Sequence, residues 1–491
     1  MNEVSVVTAY TNIPYSVFAT ELEGSLKNDF NAEINQIMGY YEVYEKGADF
    51  HTSATVDYSP SQLKYKKIKD LIDKEARFLF SIPPTFTVNP DRSGLNEVQK
   101  EQNTNLNKFL EDVLITIQFN SDLVKAAKDC FIGKRVAAMV NFNDTEGISV
   151  SFLNSTEFLY SMDGKRLKKI IAIIPVVNSS SKADQIIRKK VYEMGDDGFC
   201  YVEEALYSGL GELKEEGRIE RTKTLFNRIP AVVILNDGLV NDDRGVSEVQ
   251  SLLDYEEKYS ELANADIDGE KKSMNPIRYA IDASTESTEN LSSSPGSFWD
   301  IQSNQEGSDA KNASVGMLEA NMSYSEALKT TLDRIENNMY STLEIPNLTS
   351  EKLQGLITSG KTLKALYWSL IVRCNEKMLA WGPALQYIAD IIIEGAMLYP
   401  ESARVMSVVE IPTVEDYEIR VENNYPLPED ESEEKTMDLA EVASKTMSRK
   451  AYMKKWRNLT DEEIDDELKQ IALERQLLED SFMPNTFGEE E

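Results

Sequence analysis

The chain has 491 residues, 41% hydrophobic and 28% charged, a soluble globular composition with room for two or three core-bearing units. Its formal net charge of −32 excludes tight sequence-reading DNA binding, which needs a basic face to displace counterions, while an acidic wall would let DNA pass without sticking. A single histidine, His51, rules out a two-histidine metal site and would be consumed by any Ser-His-Asp triad, and three scattered cysteines (Cys130, Cys200, Cys374) give no disulfide framework or zinc spacing and suit a reducing cytoplasm.

In chain order, residues 18–44 carry Leu22, Leu26, Phe30, Ile34, Ile37, Met38 and Tyr41 at helical spacing. Residues 65–80 read as a second helix, basic at its start, apolar at its end and stopped by Pro83-Pro84. Residues 85–88 alternate as a short strand, and 96–132 hold one or two helices. After Gly133 the period changes to two: 136–142, 148–152, 167–177 and 190–194 read as strands parted by Asn-Asp, Glu-Gly and Asp-Gly turns. The first half is therefore an α+β unit, helices followed by a mainly antiparallel sheet.

Ile229 and the run 231–235 read as a short buried strand, with Pro230 ahead of the run. Beyond the turn residues that follow, Gly245 gives way to a long helix. Val246, Val249, Leu252, Leu253, Tyr259, Leu262 and Ala263 mark its apolar side, so Glu248, Asp254, Glu256, Glu257 and Glu261 are expected to face outward. Lys271 and Lys272 close it and complement the helix dipole. A Ser/Asn/Gly-rich insert, 273–312, holds two expected strands, 277–281 and 298–301. Ser323 and Glu326 read as a capping box opening a second helix that Pro346 ends. Residues 363–397 form a long apolar helix with a kink or break expected at Gly382-Pro383; whether the piece carrying Ile391-Ile392-Ile393 is helix or strand stays open. Residues 408–421 look strand-like, and an acidic helical tail with a second capping box at 460–463 follows Pro426-Leu427-Pro428.

Residues 355–362, GLITSGKT, match the phosphate-loop pattern GxxxxGK[ST], and 387–394 offer an apolar run ending in an acid. Such a loop needs a buried strand immediately before its first glycine. Residues 346–354 are polar and helix-initiating instead, and no repeated strand–helix units follow. Gly360 and Lys361 therefore read as the start of the long helix. No catalytic constellation, cofactor or metal site is expected, and no signal peptide or membrane-spanning run is seen.

The segments RIPAVVILNDG, SEVQSLLDYEEKYSELANADID, ALKTTLDRIENNMYSTLEIPNL and TSGKTLKALYWSLIVRCNEKML, with KEARFLF at 74–80, resemble in order and spacing the portal proteins of long-tailed bacteriophages. The resemblance implies an α+β subunit with a wing (1–238), a first stem helix (239–272), a small β-containing clip (273–318), a second stem helix (319–344), a tunnel loop (345–360), a long kinked helix with return to the wing (361–424) and a helical crown with an acidic tail (425–491). It implies a twelve-subunit ring around a DNA channel at one capsid vertex, nucleating head assembly, with double-stranded DNA, terminase, a head–tail adaptor, scaffolding protein and major capsid protein as partners. The protein would sit in the virion, and in the host cytoplasm during assembly, with no membrane contact.

Channel residues under that reading are Ile345, Pro346, Asn347, Leu348, Thr349, Ser350, Glu351, Lys352, Leu353 and Gln354 of the tunnel loop, and Glu256, Glu257, Glu261, Lys271 and Lys272 of the stem. Phe298 and Trp299 are the expected partner contacts of the clip, unless they pack the small module itself. The alternatives are a nucleotide-hydrolysing enzyme using residues 355–362, and a cytoplasmic adaptor that forms no ring.

Overall fold

A computed structural model describes residues 26–52, 59–89, 97–164, 166–177, 181, 184–240, 242–274, 277–288, 299–303, 312–318, 323–348, 364–406, 417–426, 431–457 and 461–481. The chain divides into two compact units, one of 1–347 with 369–426 and one of 348–368 with 427–491.

The first unit opens with α1 (Leu26–Lys46), α2 (Lys67–Phe80), β1 (Thr85–Val88), α3 (Glu97–Thr116) and α4 (Phe119–Gly133). The segment expected to hold one or two helices holds two, parted at Gln118, whose left-handed φ of 55° breaks the run. Ile68, Leu71, Ile72, Ala76 and Leu79 of α2 fall on one buried stripe, as the helical period requires.

Two sheets follow. β2 (Arg135–Asn143) and β3 (Gly147–Asn154) pair antiparallel. The chain then runs through an antiparallel meander: β4 (Phe158–Asp163), β5 (Arg166–Val177), β6 (Ile186–Met194), β7 (Cys200–Ser208) and β8 (Leu213–Lys223). β4, β7 and β8 add to the strands expected from period two. β9 (Ala231–Leu235) returns to pair with β2, giving the order β3-β2-β9. β2 is central, and Arg135–Val140 are all buried, which is why its sequence is a continuous apolar run rather than an alternation.

α5 (Glu248–Met274), β10 (Ile277–Ile281), β11 (Ser314–Leu318) and α6 (Ser325–Thr342) come next, then α7 (Trp368–Leu398), α8 (Pro400–Met406) and β12 (Ile419–Glu422), which pairs antiparallel with β1. Of the kink or break expected at Gly382-Pro383, the break does not occur: α7 is one helix with Pro383 inside it. Proline removes the bond to the carbonyl four residues back. That carbonyl belongs to Leu379, which lies on the exposed side of the helix at 78% exposure, while buried Trp381, Leu385 and Ile388 hold both halves in the core. The β-branched trio Ile391, Ile392 and Ile393 is helical and fully buried. Gly395 lets α7 lie directly against the Phe142 ring, where a Cβ would collide.

The second unit carries α9 (Glu431–Ala443), α10 (Arg449–Arg457) and α11 (Asp461–Ser481). Basic α10 is clamped between acidic neighbours. Lys455 and Trp456 Nε1 reach Asp438 of α9 at 2.8 and 2.7 Å, and Lys450 and Arg457 reach Asp465 and Glu467 of α11 at 2.9 and 3.0 Å. Thr460, the expected cap of the last helix, lies outside the described residues.

Candidate functional site

α5 and α6 form an antiparallel pair joined through the β10–β11 hairpin. Gly269 near the end of α5 meets the hydroxyl of Tyr324 at the start of α6 so closely that a Cβ would require the tyrosine to shift. Nearer the root, Lys67 reaches Glu336 of α6 at 2.9 Å and lies 4.8 Å from the Tyr259 ring of α5. These two cross-contacts fix the register. The helix expected to open at Ser323 and Glu326 begins at Ser325, and its N-cap is Tyr324, in αR geometry without a side-chain cap hydrogen bond.

The entry to α5 is pinned by Gly245. Its φ is +75°, and a Cβ would strike the Lys134 carbonyl. Val246 N–H donates to the Asn236 carbonyl at 2.7 Å, and Asn236 N–H donates to the Lys134 carbonyl at 2.8 Å, so the strand-to-helix turn is stapled to the start of β2.

One face of α5 departs from the sequence expectation. Glu256, Ser260, Asn264 and Asp268, spaced by four, are buried. Glu256, Asn264 and Asp268 bond the backbone of the segment 59–68, whereas the Ser260 hydroxyl has no hydrogen-bond partner among the described residues. Leu63 N–H donates to Asn264 Oδ1 (2.8 Å), and Asn264 Nδ2 donates back to the Leu63 carbonyl (2.7 Å). Ser61 gives both its N–H (3.1 Å) and its hydroxyl (2.6 Å) to Asp268. Glu256 accepts the N–H of Ile68 at 2.7 Å and of Ala48 at 3.2 Å. It serves as the cap that α2 lacks locally, since Lys66 at its N-cap makes no side-chain cap bond. Burial pushes Glu256 up to about 7, against those two donors. It is thus spent inside the subunit rather than turned to solvent. Glu257 and Glu261 remain half-exposed, Glu261 paired with Lys258 at 2.6 Å. Lys271 and Lys272 are exposed; Lys271 also lies 3.6 Å from Asp268.

At the root of α5 lies a buried ionic cluster that sequence reasoning missed. Lys377 of α7 donates to Glu248 (2.7 Å) and Asn236 (2.8 Å), stands 3.5 Å from Glu75 of α2, and sits 4.3 Å from the Phe131 ring. Arg373 bridges Glu75 (2.8 Å) and Glu248 (2.7 Å). Burial works to raise Glu248, but Lys377 and Arg373 outweigh it and hold the carboxyl at about 2. Burial pushes Glu75 up, against Lys377, and its Oε2 has no hydrogen-bond partner. Glu248, expected to face outward, instead ties α5 to α2 and α7. The only sequence signal was the pair Arg373 and Lys377, two cations one turn apart in an apolar helix.

At the far end of the pair, β10 and β11 are in antiparallel register from Ile277↔Leu318 to Ile281↔Ser314. The second strand is therefore 314–318, and the described residues 299–301 of the strand expected at 298–301 are not in a strand. Trp299 is half-buried beneath Arg278, whose guanidinium lies 5.0 Å from its ring, and Phe298 lies outside the described residues. Tyr279, Ile281, Val315 and Met317 are 40–55% exposed. After α6, Ile345 is buried, and Pro346, Asn347 and Leu348 are half-buried. Asn347 Nδ2 donates to Asn337 at 2.9 Å. Thr349, Ser350, Glu351, Lys352, Leu353 and Gln354, and the glycine-rich 355–362, lie outside the described residues. Among the described residues no group of three or more His, Cys, Asp or Glu is placed to hold a metal, and no helix is long and apolar enough to cross a membrane.

The family model described as phage portal protein, SPP1 Gp6-like, matches residues 24–477. A comparison with curated proteins finds no match.

Proposed function

The chain belongs to the phage portal proteins of the SPP1 Gp6-like family, structural components of the capsid vertex, and from that premise we propose that it assembles into a closed ring of about twelve copies around a DNA channel, by a heterologous interface. DNA would enter during packaging and leave during ejection through that channel. The family match over nearly the whole chain carries this reading. The antiparallel α5–α6 pair supports it as a stem, and the exposed β10–β11 hairpin at its end as the clip that terminase and then a head–tail adaptor would contact. Scaffolding protein and major capsid protein would engage the same ring during head assembly. The acidic surface suits a conduit, because a negative wall does not hold phosphates.

Within the stem, Glu257, Glu261, Lys271 and Lys272 stay candidates for the channel face, whereas Glu256 acts as an internal brace. Residues 345–354 stay the candidate tunnel loop, and Phe298 the candidate clip contact.

The test is the native mass of the purified protein with negative-stain images of the same peak. A species of about 670 kDa, roughly twelve times the chain mass, with an axial hole is the expected result. A neighbouring copy number keeps the reading, since closure outside a capsid is not constrained by one. A monomer that also forms no rings with its capsid partners overturns it.

A further inference from the structure

The turn between β9 and α5 carries an apolar tip on a fixed base. Leu239 and Val240 are 88% and 92% exposed, two adjacent aliphatic side chains held almost wholly in water, which is unfavourable unless a partner covers them. Asp237 and Gly238 take positive φ angles of 53° and 132° that turn the chain out of β9. Below the tip, Asn236 Nδ2 donates to the Val246 carbonyl (2.8 Å) and Val246 N–H donates to the Asn236 carbonyl (2.7 Å). Asp242 N–H donates to the Leu239 carbonyl at 2.9 Å, and Arg244 pairs with Glu33 of α1. A tip ordered in advance loses little freedom on docking.

A complementary surface lies elsewhere on the same chain. A groove of about 820 Å³ runs between β9 and α7, lined by Met162, Leu167, Val233, Pro383, Ala384 and Tyr387. Its wall is mostly apolar, and its volume is that of a pocket that buries a small ligand, room for two aliphatic side chains. The charges around the two surfaces are opposite in sign. Asp237, Asp242 and Asp243 flank the tip, while Arg166 and Arg228 border the groove. Arg228 is held by Asp390 and Glu394, so Arg166, which is exposed, is the cation placed to meet the acidic flanks. The exposure of Leu239 and Val240 shows that the tip does not enter the groove of its own subunit.

We propose that Leu239 and Val240 insert into this groove on a second copy of the chain. The contact is heterologous: each copy gives one tip and receives one, the valency that a closed ring uses. The proposal rests on the ring reading above and names residues on both sides of its seam.

A photoreactive benzophenone amino acid at position 240 of the full-length chain tests the contact. The unlabelled variant is mixed with heavy-isotope wild type before assembly, irradiated, digested and read by mass spectrometry. Crosslinks from unlabelled position 240 to heavy peptides carrying Met162 or Ala384 are expected. Leu239→Asp/Val240→Asp, and separately the groove-filling Ala384→Trp, should each raise the concentration of half-assembly by about tenfold or more, since each removes the burial of two aliphatic side chains. An equal mixture of these two variants keeps one intact tip for each intact groove and should assemble at a lower concentration than either alone. Rings in which position 240 crosslinks only within its own chain, or only to peptides without groove residues, overturn the tip–groove contact and leave the ring standing. Unchanged assembly of the double aspartate variant does the same. Wild type that stays monomeric, with no crosslink between copies, overturns both.

Discussion

Replacing Lys377 with methionine keeps the length of the side chain and removes its charge. In the wild type, Lys377 and Arg373 face Glu248 and Glu75, two cations against two carboxylates in a largely buried site. The variant leaves one cation for two carboxylates and takes the donors from Asn236 and Glu248. Breaking a buried pair by removing one partner costs about 3–5 kcal/mol. Lys377→Met with Glu248→Gln restores neutrality around Arg373 and Glu75, so its loss should fall short of the summed single losses by about 1–3 kcal/mol. Urea unfolding reads this through Trp381, buried one turn beyond Lys377 and 5.0 Å from the Phe80 ring. The midpoint for Lys377→Met should fall by roughly 1 M. A single variant within about 0.5 kcal/mol of wild type, or strictly additive losses in the double, would refute the view that these charges act as one unit.

Three further outcomes follow from the packing of α5. Glu256→Gln should abolish a pH dependence. The folded carboxyl titrates near 7, above its ordinary 4.5, so its contribution to stability is fully present below 4.5 and lost as pH rises through 7; protection of the Ile68 amide in wild type should weaken over that window and stay flat in the variant. Asp268→Ala frees Ser61 from α5 at a cost of about 1–3 kcal/mol, and trypsin should cut faster at Lys64 and Lys66; an unchanged rate would count against the polar stripe as a fastening. Gly269→Ala would ordinarily stabilise a helix by about 0.5–1 kcal/mol, but here the methyl meets the Tyr324 hydroxyl. The Tm should drop, and Tyr324→Phe should recover part of it; a rise in the single variant would show that the helices are not in this contact.

What the sequence exposed was whatever its apolar pattern encodes directly. β2 is a continuous apolar run because both of its faces are covered. The turn at Gly245 was visible because a left-handed residue advertises itself. β8 was not visible: Lys214, Arg218, Glu220, Arg221 and Lys223 make an edge strand that resists further pairing by its charges, which hides its period. Glu256 was expected on an outward acidic face, but it is buried with Asn264 and Asp268 against main-chain groups that leave no trace in side-chain identity. The cluster at the root joins positions 75, 236, 248, 373 and 377, and no local window holds it. The two long helices, α5 and α6, were legible from their apolar spacing, while which of their polar residues are buried became known only from the packing.

The ionic cluster also has a mechanical meaning. It is the point where α2, α5 and α7 are fastened together, and the fastening is made of short directional bonds at 2.7–2.8 Å. Such bonds lose their strength steeply once stretched or bent, whereas the apolar contacts along α7 weaken gradually as surfaces slide. A load carried along α7 would therefore reach the base of α5 undiminished up to a threshold and then be shed abruptly. The joint is stiff and brittle within a ductile surround, so α5 would move with α7 as one body until the joint fails.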